Sequence, residues 1–324
     1  MKRITANTKI KNIKKIKEFK EFKEYLIPFT GINAKLLDQL PLKFLNKIWN
    51  VETIVDSFNY MKQLCNQGKK IFYQLHTKEE IEKNEGLKKN ILFHFPIEHR
   101  SKFIVICAGG GYESVCSITE AFPVAKRMNE LGYHAFVVDY RIKKNALVPN
   151  PQDDLASAIR YILDNSDVLN IEREDYAVAG FSAGGHLVAS YGTKHLGYEY
   201  YDLPKPQVLF LAYPVITMTD NTHIGSRRWL LGKKNRHNDE IIEKYSIEKH
   251  VTEEYPATFM WQCNEDDTVS IENTMMMEQS LRDNHVKYTY KVYESTDHGW
   301  GLAENTLAEG WLDEAVLFWE TLKD

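Results

Sequence analysis

Long apolar segments are missing from this sequence. No run of about 18 apolar residues, the length that a membrane-spanning helix needs, occurs in the 324 residues. The basic N terminus also lacks the apolar stretch and the small-residue cleavage site of a secretory signal peptide. The sequence therefore predicts neither a membrane span nor an export signal, and we expect a cytoplasmic protein.

The sequence also has few cysteines and a small net charge. The four cysteines, Cys65, Cys107, Cys116 and Cys263, lack the spacing of metal ligands, and we interpret them as thiols of the core. A formal net charge of -4 argues against a general nucleic-acid binder. Because 43% of the residues are apolar, the chain can bury a large core, and a disordered protein is not expected.

What the sequence does contain is a Gly-x-Ser-x-Gly motif. The strand-like run 176–179 leads into Gly180-Phe181-Ser182-Ala183-Gly184, and helix-compatible residues follow. In a nucleophile elbow the serine lies on a sharp strand-to-helix turn, where a β-carbon on either flanking glycine would collide with neighbouring backbone. A glycine-rich turn with an incidental serine is the alternative, because the pattern also arises by chance. We predict that Ser182 is the nucleophile.

An acid and a histidine follow the serine in the order that an α/β-hydrolase requires. The run 256–263 reads as a buried strand and leads into an acidic turn. The run 288–293 alternates as a strand should, and a glycine-flanked loop with His298 follows it. A serine hydroxyl needs an imidazole to take its proton, and a carboxylate to orient that imidazole. We predict that His298 is the base.

The choice of the acid is less direct. Glu265, Asp266 and Asp267 all lie in the acidic turn. We favour Asp266, which precedes the apolar Val269 by three residues, and Asp267 is the second choice. Asp297 is expected to cap its own loop, because neighbours in sequence seldom point at one another.

The third motif is a glycine-rich loop after a buried strand. The apolar run 103–107 ends in Ala108-Gly109-Gly110-Gly111-Tyr112. Its peptide N–H groups, together with that of Ala183, are candidates for an oxyanion hole. A phosphate-binding loop and an ordinary turn are the alternatives. The Lys-Ser/Thr ending of a P-loop and the dinucleotide-binding pattern are both absent, so nucleotide binding is not favoured.

Together these motifs resemble the α/β-hydrolase superfamily, and within it the esterase/lipase branch whose oxyanion motif reads Pro-Gly-Gly-Gly-Tyr. Bacterial acetyl esterases and acetylxylan-esterase-like proteins belong to that branch. The matching segments, in the expected order, are 107–112, 139–141, 151–154, 180–186, 261–269 and 298–301. Two positions depart from the pattern, because Ala108 and Ser270 stand where the branch often has proline.

This resemblance implies a set of site residues. The implied triad is Ser182, Asp266 and His298. The implied oxyanion donors are the N–H groups of Gly110, Gly111 and Ala183. The resemblance implies no metal and no organic cofactor, and it leaves the acyl and alcohol groups of the substrate open.

The order of predicted elements gives the fold class. Strands alternate with helices through most of the chain, which predicts an α/β-hydrolase fold with a mostly parallel central sheet and helices on both faces. Two antiparallel strands, 70–77 and 89–96, open the sheet, with 78–88 as a connection. In such a sheet, ligands bind at the carboxyl ends of the strands, which is where all three candidate catalytic residues lie.

Two regions stand apart from this alternation. Residues 1–65 are predicted to be an N-terminal helical extension, and 66–324 to be the catalytic domain. Apolar residues recur every three or four residues from Ile10 to Leu26, which predicts an amphipathic helix. A break near Pro28 and Gly31 and a further helical stretch from Leu36 to Met61 are predicted to follow. The extension is a packing element, a lid or a membrane-surface helix, and packing is favoured.

Residues 214–255 carry little strand signal and are predicted to form a partial cap on the catalytic domain. Trp229 and Leu230 in this segment are candidate pocket residues, although packing onto the sheet is the favoured alternative for both. Asp139 and Arg141 are expected to belong to a structural hydrogen-bond or ion-pair network behind the oxyanion loop.

The sequence thus predicts a serine carboxylesterase that hydrolyses short-chain esters, with acetyl preferred, through an acyl-enzyme. An amidase or formamidase is the nearest alternative, because the same residues cleave amides. A non-catalytic binding protein is less favoured, because all three catalytic residues are present. The expected partner is a small-molecule ester such as an acetylated sugar, not a nucleic acid, and a homo-oligomer remains open.

Overall fold

An eight-stranded sheet lies at the centre of the computed structural model, which describes residues 3–26, 38–47 and 49–322. The strands are β1 (Phe72–Gln74), β2 (Ile91–Phe95), β3 (Phe103–Cys107), β4 (His134–Asp139), β5 (Ala177–Phe181), β6 (Val208–Ala212), β7 (Ala257–Cys263) and β8 (Tyr288–Tyr293). Their order across the sheet is β1-β2-β4-β3-β5-β6-β7-β8. β2 runs antiparallel to both β1 and β4, and the other pairs are parallel. The predicted mostly parallel sheet is confirmed.

Helices flank the sheet on both faces. The described α-helices are α1 (Ile10–Ile13), α2 (Val51–Asn66), α3 (Lys78–Lys83), α4 (Phe122–Glu130), α5 (Asn150–Asp164), α6 (Ser166–Leu169), α7 (Ser182–Tyr191), α8 (Ile224–Asn235), α9 (Asp239–Lys244), α10 (Glu272–Asp283) and α11 (Trp311–Glu320). Helices α2, α4 and α11 bury their apolar side chains on one face, and α5, α7 and α10 on the other. In α5, for example, Leu155, Ile159 and Ile162 recur at helical spacing and are buried.

The inner strands are apolar on both faces because helices cover both. In β3, Ile104 and Ile106 project into the core on one face, while Phe103, Val105 and Cys107 project into the core on the other. All five side chains are buried. This continuous apolar run, which is typical of a parallel sheet, fixes β3 in the middle of the molecule and brings the loop after it to the candidate site.

The N-terminal segment does not form the single amphipathic helix that its sequence predicts. It contains α1 and two 3₁₀ turns, Lys17–Phe19 and Lys23–Tyr25. Its apolar residues recur mostly at every third position, which suits the roughly three residues per turn of a 3₁₀ helix better than an α-helix. Phe19 and Phe22 are nevertheless buried.

Helix α2 links this segment to the rest of the chain. Asn50 caps its N terminus by accepting a hydrogen bond from the Glu52 N–H at 3.0 Å. The ring of Phe58 packs between Phe19 and Phe122 of α4, with centroids 6.2 and 6.3 Å away. A 3₁₀ helix, Leu42–Lys47, precedes α2. The predicted break near Pro28 and Gly31, and the Leu36 start of the predicted helix, lie outside the described residues.

Helix α3 is an element that the sequence reading missed, because 78–88 was expected to be a plain connection. Thr77 accepts a hydrogen bond from the Glu80 N–H, and the Glu80 carboxylate accepts one from the Thr77 N–H. This reciprocal capping box starts a helix even in a charged segment. A 3₁₀ turn, Glu85–Lys89, follows it.

Between β6 and β7, the described elements are helical: α8, α9 and a 3₁₀ turn, Ile247–Lys249. Leu230 and Leu231 of α8 are buried in the core. Gly232 breaks the helix with φ of 70°, a left-handed conformation that favours glycine. Leu230 therefore packs on the sheet, whereas its neighbour Trp229 is only partly buried.

Candidate active site

The turn between β5 and α7 has the geometry of a nucleophile elbow. Ser182 is its central residue, with a φ of 51° that non-glycine residues rarely adopt. A β-carbon on Gly180 would lie 2.4 Å from the Gly184 carbonyl oxygen, and one on Gly184 would lie 2.3 Å from the Cys107 carbonyl oxygen. Both glycines are therefore required by close backbone contacts, as the motif predicted.

The three predicted catalytic side chains meet at the carboxyl edge of the sheet. Nε2 of His298 lies 2.9 Å from Oγ of Ser182. Nδ1 of His298 lies 2.7 Å from Oδ2 of Asp266. The Asp266 side chain is fully shielded from solvent, and 13% of the His298 side chain is exposed. The contacts form one continuous line from hydroxyl to imidazole to carboxylate.

Asp266 is anchored by the backbone that follows it. Its Oδ1 accepts hydrogen bonds from the N–H groups of Thr268 and Val269, both at 2.9 Å. Its Oδ2 also accepts one from Nε2 of Gln262 at 3.3 Å. The carboxylate therefore has little freedom to rotate and presents Oδ2 to the imidazole. The spacing to Val269 that favoured this residue in the sequence is the spacing of this Asp-centred turn.

The other acidic candidates lie elsewhere. Asp267 is exposed and accepts a hydrogen bond from the Thr268 hydroxyl at 2.9 Å. Glu265 is exposed as well. Asp297 accepts a hydrogen bond from the Ser295 hydroxyl at 2.8 Å, within its own loop. The structure brings none of these three carboxylates into a described hydrogen bond with the imidazole.

The glycine loop lies beside Ser182. A β-carbon on Gly109 would lie 2.8 Å from the Ser182 β-carbon, so the loop approaches Ser182 closely. Gly110 and Gly111 have φ of 124° and 64°. The N–H of Gly109 is occupied, because it donates to a carboxylate, whereas the N–H groups of Gly110 and Gly111 make no hydrogen bond within the described ranges. Ala183 is in the first turn of α7, where a backbone N–H has no acceptor one turn earlier.

The carboxylate that holds Gly109 is Glu120, a residue that the sequence reading did not single out. Its Oε2 accepts from the Gly109 N–H at 2.6 Å, and its Oε1 accepts from the Tyr213 hydroxyl at 3.1 Å. The Tyr213 oxygen in turn accepts from the Gly301 N–H at 2.8 Å. The chain of contacts therefore connects the glycine loop to the loop that carries His298. An edge of the Tyr213 ring also packs on the His298 ring, 4.8 Å between centroids.

Burial raises the pKa of Glu120 to about 7, against the opposing effects of the Gly109 hydrogen bond, the His298 charge and the Tyr213 hydroxyl. Glu120 is only 3% exposed, so water does little to stabilise its charged form. A glutamate that is the single charged residue in the stretch 117–122 was the available sequence signal. Only its partners reveal what it does.

A pocket of about 700 Å³ opens above Ser182. Among the residues that line it are four with aromatic side chains, which we call the walls: Trp49, His223, Trp229 and Trp300. Trp300 also packs on the buried Trp261, 6.1 Å between ring centroids. Of the four, the sequence reading named only Trp229. Trp49 comes from the N-terminal segment, so residues far apart in the chain share one pocket.

His223 has a defined tautomer. Its Nδ1 accepts a hydrogen bond from the Ser226 N–H at 3.2 Å and thereby caps helix α8. Because Nδ1 accepts, the proton of the neutral ring is on Nε2. Burial, and then the charge of His298, lower the pKa of His223, while Asp266 raises it. A neutral hydrogen-bond donor therefore lies in the wall, beside Gly111.

The residues behind the glycine loop are structural, as expected. Arg141 pairs with the buried Asp154, with 2.8 Å between Nε and Oδ1. Asp139 accepts a hydrogen bond from the Ser117 hydroxyl. The Tyr140 hydroxyl donates to the Ala108 carbonyl at 2.7 Å. These contacts support the loop from behind and do not line the pocket.

Three further findings concern the described ranges. No group of three or more His, Cys, Asp or Glu side chains in them could hold a metal ion. No described helix combines the length and the apolar composition needed to cross a bilayer. The four cysteines are free thiols, and burial raises the pKa of each of them.

Comparison with known proteins places the chain in a family. A family model described as BD-FAE matches residues 93–281, which is more than half of the chain. The chain belongs to the BD-FAE family. The match includes Ser182 and Asp266 and ends before His298. BD-FAE membership agrees with the resemblance to the esterase/lipase branch of the α/β-hydrolases, which is confirmed.

Two curated proteins are similar to this BD-FAE chain. Endo-1,4-beta-xylanase B of Butyrivibrio fibrisolvens is 33% identical over 217 residues, which cover 64% of the chain and 34% of that protein. Acetylxylan esterase of Xylanibacter ruminicola is 29% identical over 223 residues, 66% of the chain and 44% of that protein. The BD-FAE chain thus spans less than half of the length of these relatives.

Solved structures show the same fold. The acetyl ester-xyloside bifunctional hydrolase from Caldicellulosiruptor lactoaceticus has a TM-score of 0.69 and 27% identity, and the match covers 78% of this chain and 96% of that one. The carboxylesterase Cest-2923 from Lactobacillus plantarum has a TM-score of 0.63 and 22% identity, over 72% and 92% of the two chains. The BD-FAE chain therefore has the α/β-hydrolase fold, and the predicted fold is confirmed.

Proposed function

We propose that the protein is a serine carboxylesterase that hydrolyses short-chain esters, with acetyl preferred, through an acyl-enzyme. One observation carries the proposal: the imidazole of His298 joins the Ser182 hydroxyl, at 2.9 Å, to the shielded Asp266 carboxylate, at 2.7 Å. A weakly nucleophilic hydroxyl is activated by this arrangement, because the base is within hydrogen-bond reach and is itself oriented.

The acylation step begins when Oγ of Ser182 attacks the ester carbonyl carbon and its proton moves to Nε2 of His298. Asp266 keeps the proton of the neutral imidazole on Nδ1 and stabilises the cation that forms. The tetrahedral intermediate then breaks its bond to the alcohol oxygen, which takes the proton from Nε2. The alcohol leaves, and the acyl group stays on Ser182.

Deacylation repeats these transfers with water as the nucleophile. Water gives a proton to Nε2 of His298 as its oxygen attacks the acyl carbon, and collapse of the second intermediate returns that proton to Oγ of Ser182. The carboxylic acid leaves. These steps use side chains of the protein alone, and the proposal invokes no cofactor.

The N–H groups of Gly110, Gly111 and Ala183 are the proposed oxyanion donors. The two glycine N–H groups have no acceptor within the described ranges. The neighbouring Gly109 N–H already donates to Glu120, so it is not proposed as an oxyanion donor. Donors that are fixed before the reaction stabilise the charge that develops in the transition state, and loss of one typically costs about 3 kcal/mol.

An acetylated sugar is the proposed substrate. Three tryptophan side chains in the walls offer flat apolar surfaces of the kind that pack against sugar rings. The names of two similar proteins, an acetylxylan esterase and an acetyl ester-xyloside hydrolase, point to the same class of substrate. We propose the same acyl group here.

We further propose that residues 1–65 act as an extension of a catalytic domain formed by 66–324, with 214–255 as its partial cap. The burial of Phe19 and Phe22 supports a packing role for the extension. Trp49 of the extension also lines the pocket, so the extension supplies one side chain of the walls. The extension would then shape substrate selection through one side chain, without acting as a mobile lid.

The test of the proposed function is a burst experiment with 4-nitrophenyl acetate. We expect a burst of nitrophenol close to one equivalent per protein when acylation is faster than deacylation, and no burst with Ser182→Ala. A folded Ser182→Ala protein that still hydrolyses the ester would contradict the proposal. A parallel screen of acetyl, butyryl, feruloyl and amide substrates identifies the acyl group and separates an esterase from an amidase.

A further inference from the structure

A second groove adjoins the walls of the pocket. Its volume is about 360 Å³, and we name it the basic groove after the five cationic side chains that line it: Lys143, Lys144, Arg228, Lys233 and Arg236. Trp229 lines both the basic groove and the pocket above Ser182. The two cavities are therefore neighbours, separated by one indole ring.

The positive charge in the basic groove has no matching carboxylates. Within the part of the chain that the structure describes, none of the five cations forms an ion pair. Nε of Arg236 is buried and has no hydrogen-bond partner there. Five like charges that repel each other are unexpected in a chain of net charge -4, and a bound anion would offset that repulsion.

The carboxylates lie on the other side of Trp229. Glu113, Asp267 and Asp297 line the pocket above Ser182, and no acidic residue lines the basic groove. The Arg228 guanidinium stands over the Trp229 ring, 5.3 Å from its centroid. The Asp, Glu, Lys and Arg side chains that line the two cavities are thus acidic on one side of this ring and basic on the other, which favours binding of the anionic end of a molecule in the basic groove.

We propose that the basic groove is a binding subsite for an anionic group, a carboxylate or a phosphate, carried by the alcohol part of the ester substrate. This inference rests on the proposed esterase function. An acetyl group carries no anionic group of its own, so an anion that binds in the basic groove belongs to the alcohol part. The substrate class is then an acetylated acidic sugar or sugar phosphate.

The test compares substrates that differ in charge. An acetylated oligogalacturonate and an acetylated neutral xylo-oligosaccharide of the same length supply the carboxylate arm, and an acetylated glucose 6-phosphate supplies the phosphate arm. We expect the Lys233→Glu/Arg236→Glu variant to lower the ratio of kcat/KM for an anionic ester to that for the neutral one by at least about tenfold. The arm that responds identifies the anion.

The matched control is Lys20→Glu/Lys83→Glu, which makes the same change in net charge at exposed lysines outside both cavities. It should leave the ratio within about twofold of wild type, because neither lysine lines the basic groove and salt screens exposed charges. An equal shift in both variants, or no shift in either, would overturn the inference. Hydrolysis of 4-nitrophenyl acetate by wild type, lost in Ser182→Ala, tests the esterase function separately.

Binding provides a second readout that does not need turnover. If wild type hydrolyses 4-nitrophenyl acetate but none of the sugar esters, calorimetric titration with unacetylated oligogalacturonate and with glucose 6-phosphate decides. We expect one of them to bind, with an affinity at least about tenfold lower in Lys233→Glu/Arg236→Glu. Failure of both to bind would also overturn the inference.

Discussion

The floor and the walls of the pocket hold their side chains in different ways. The floor consists of Ser182, Asp266, His298 and the glycine loop 109–111, which all follow parallel strands of the sheet. Close packing around Gly109 and Gly110, where an added β-carbon would lie under 3 Å from neighbouring atoms, and hydrogen bonds from N–H groups to Asp266 hold this part of the structure. Trp49, His223 and Trp229 of the walls come from segments before or between the strands, whereas Trp300 lies in the loop after β8 that also carries His298. Three of the four wall residues are tryptophans.

This difference separates two tasks. The reacting atoms of an ester are the same in every substrate, so a rigid floor fixed by the sheet suits the reaction. The alcohol part varies between substrates, so contacts from connecting segments can vary without disturbing the chemistry. We expect changes in the floor to affect kcat for all substrates, and changes in the walls to affect the choice among substrates.

The largest effect is expected for Ser182→Ala. Removal of the proposed nucleophile should lower kcat for 4-nitrophenyl acetate by about 10⁴-fold or more. The free energy of unfolding should change by less than about 1 kcal/mol, because only one oxygen is removed. Steady-state kinetics and urea unfolding measure the two quantities. If the variant lost activity because it unfolded, the result would not support a catalytic role for the floor that the walls lack.

Asp266→Asn should come next, with a loss in kcat of about 10³- to 10⁴-fold, because an amide cannot hold the proton on Nδ1 of His298 as a carboxylate does. The matched control is Asp267→Asn, the neighbouring exposed acid, which should stay within about threefold of wild type. Kinetics of both variants with one ester are sufficient. The opposite ranking would show that the acid had been assigned to the wrong residue.

Glu120 connects two parts of the floor, and its effect should appear in the pH dependence of stability. Its ordinary pKa is 4.5 and burial raises the pKa to about 7, so its contribution to stability is present below about pH 4.5 and is lost as the pH rises through about 7. Glu120→Gln removes this loss. Relative to wild type, the variant should gain roughly 3 kcal/mol in unfolding free energy between pH 4.5 and 8.

Denaturant unfolding of wild type and Glu120→Gln across that pH range measures the difference. The exposed Glu79→Gln serves as the control and should follow wild type at every pH. A difference between Glu120→Gln and wild type that stays constant with pH would mean that Glu120 does not change its protonation there.

Trp229→Ala tests the walls and should have the smallest effect. Loss of the indole face should raise KM for an acetylated oligosaccharide by about 3- to 20-fold, which corresponds to about 0.7 to 1.8 kcal/mol of packing. For 4-nitrophenyl acetate, kcat should change by less than about threefold. Tyr200→Ala, an exposed aromatic outside the pocket, is the control. Equal losses for both substrates would remove the distinction between floor and walls.

Much of the floor could be predicted because each of its residues has a local signature. Gly180 and Gly184 are spaced by the backbone contacts of one turn, and Asp266 lies three residues before the N–H of Val269 that it accepts from. Such contacts repeat wherever the same turn forms, so the sequence carries them. Helix α3 was missed although Thr77 and Glu80 carried its capping signal, because a run of charges was read as a connection.

Other features could not be predicted, because they depend on segments that meet only in the folded protein. Glu120 contacts Gly109 and Tyr213, and the second of these is 93 residues away. Trp49 reaches the pocket from a position just before α2, within the stretch 36–61 that the sequence predicted as helix. No spacing rule links such residues, so only their convergence at the carboxyl edge of the sheet shows that they share a site.

By itself, the sequence determined the class of sheet, the order of the candidate catalytic residues and which serine and histidine lie together at the candidate site. These follow from local sterics and from alternation along the chain. Tertiary structure decided which hydrogen-bond donors stay available beside Ser182, which aromatic rings form the walls, and where unpaired positive charge collects. The physical reason is distance: these properties arise from atoms within a few ångströms in space whose separation along the chain is set by packing on both faces of the sheet.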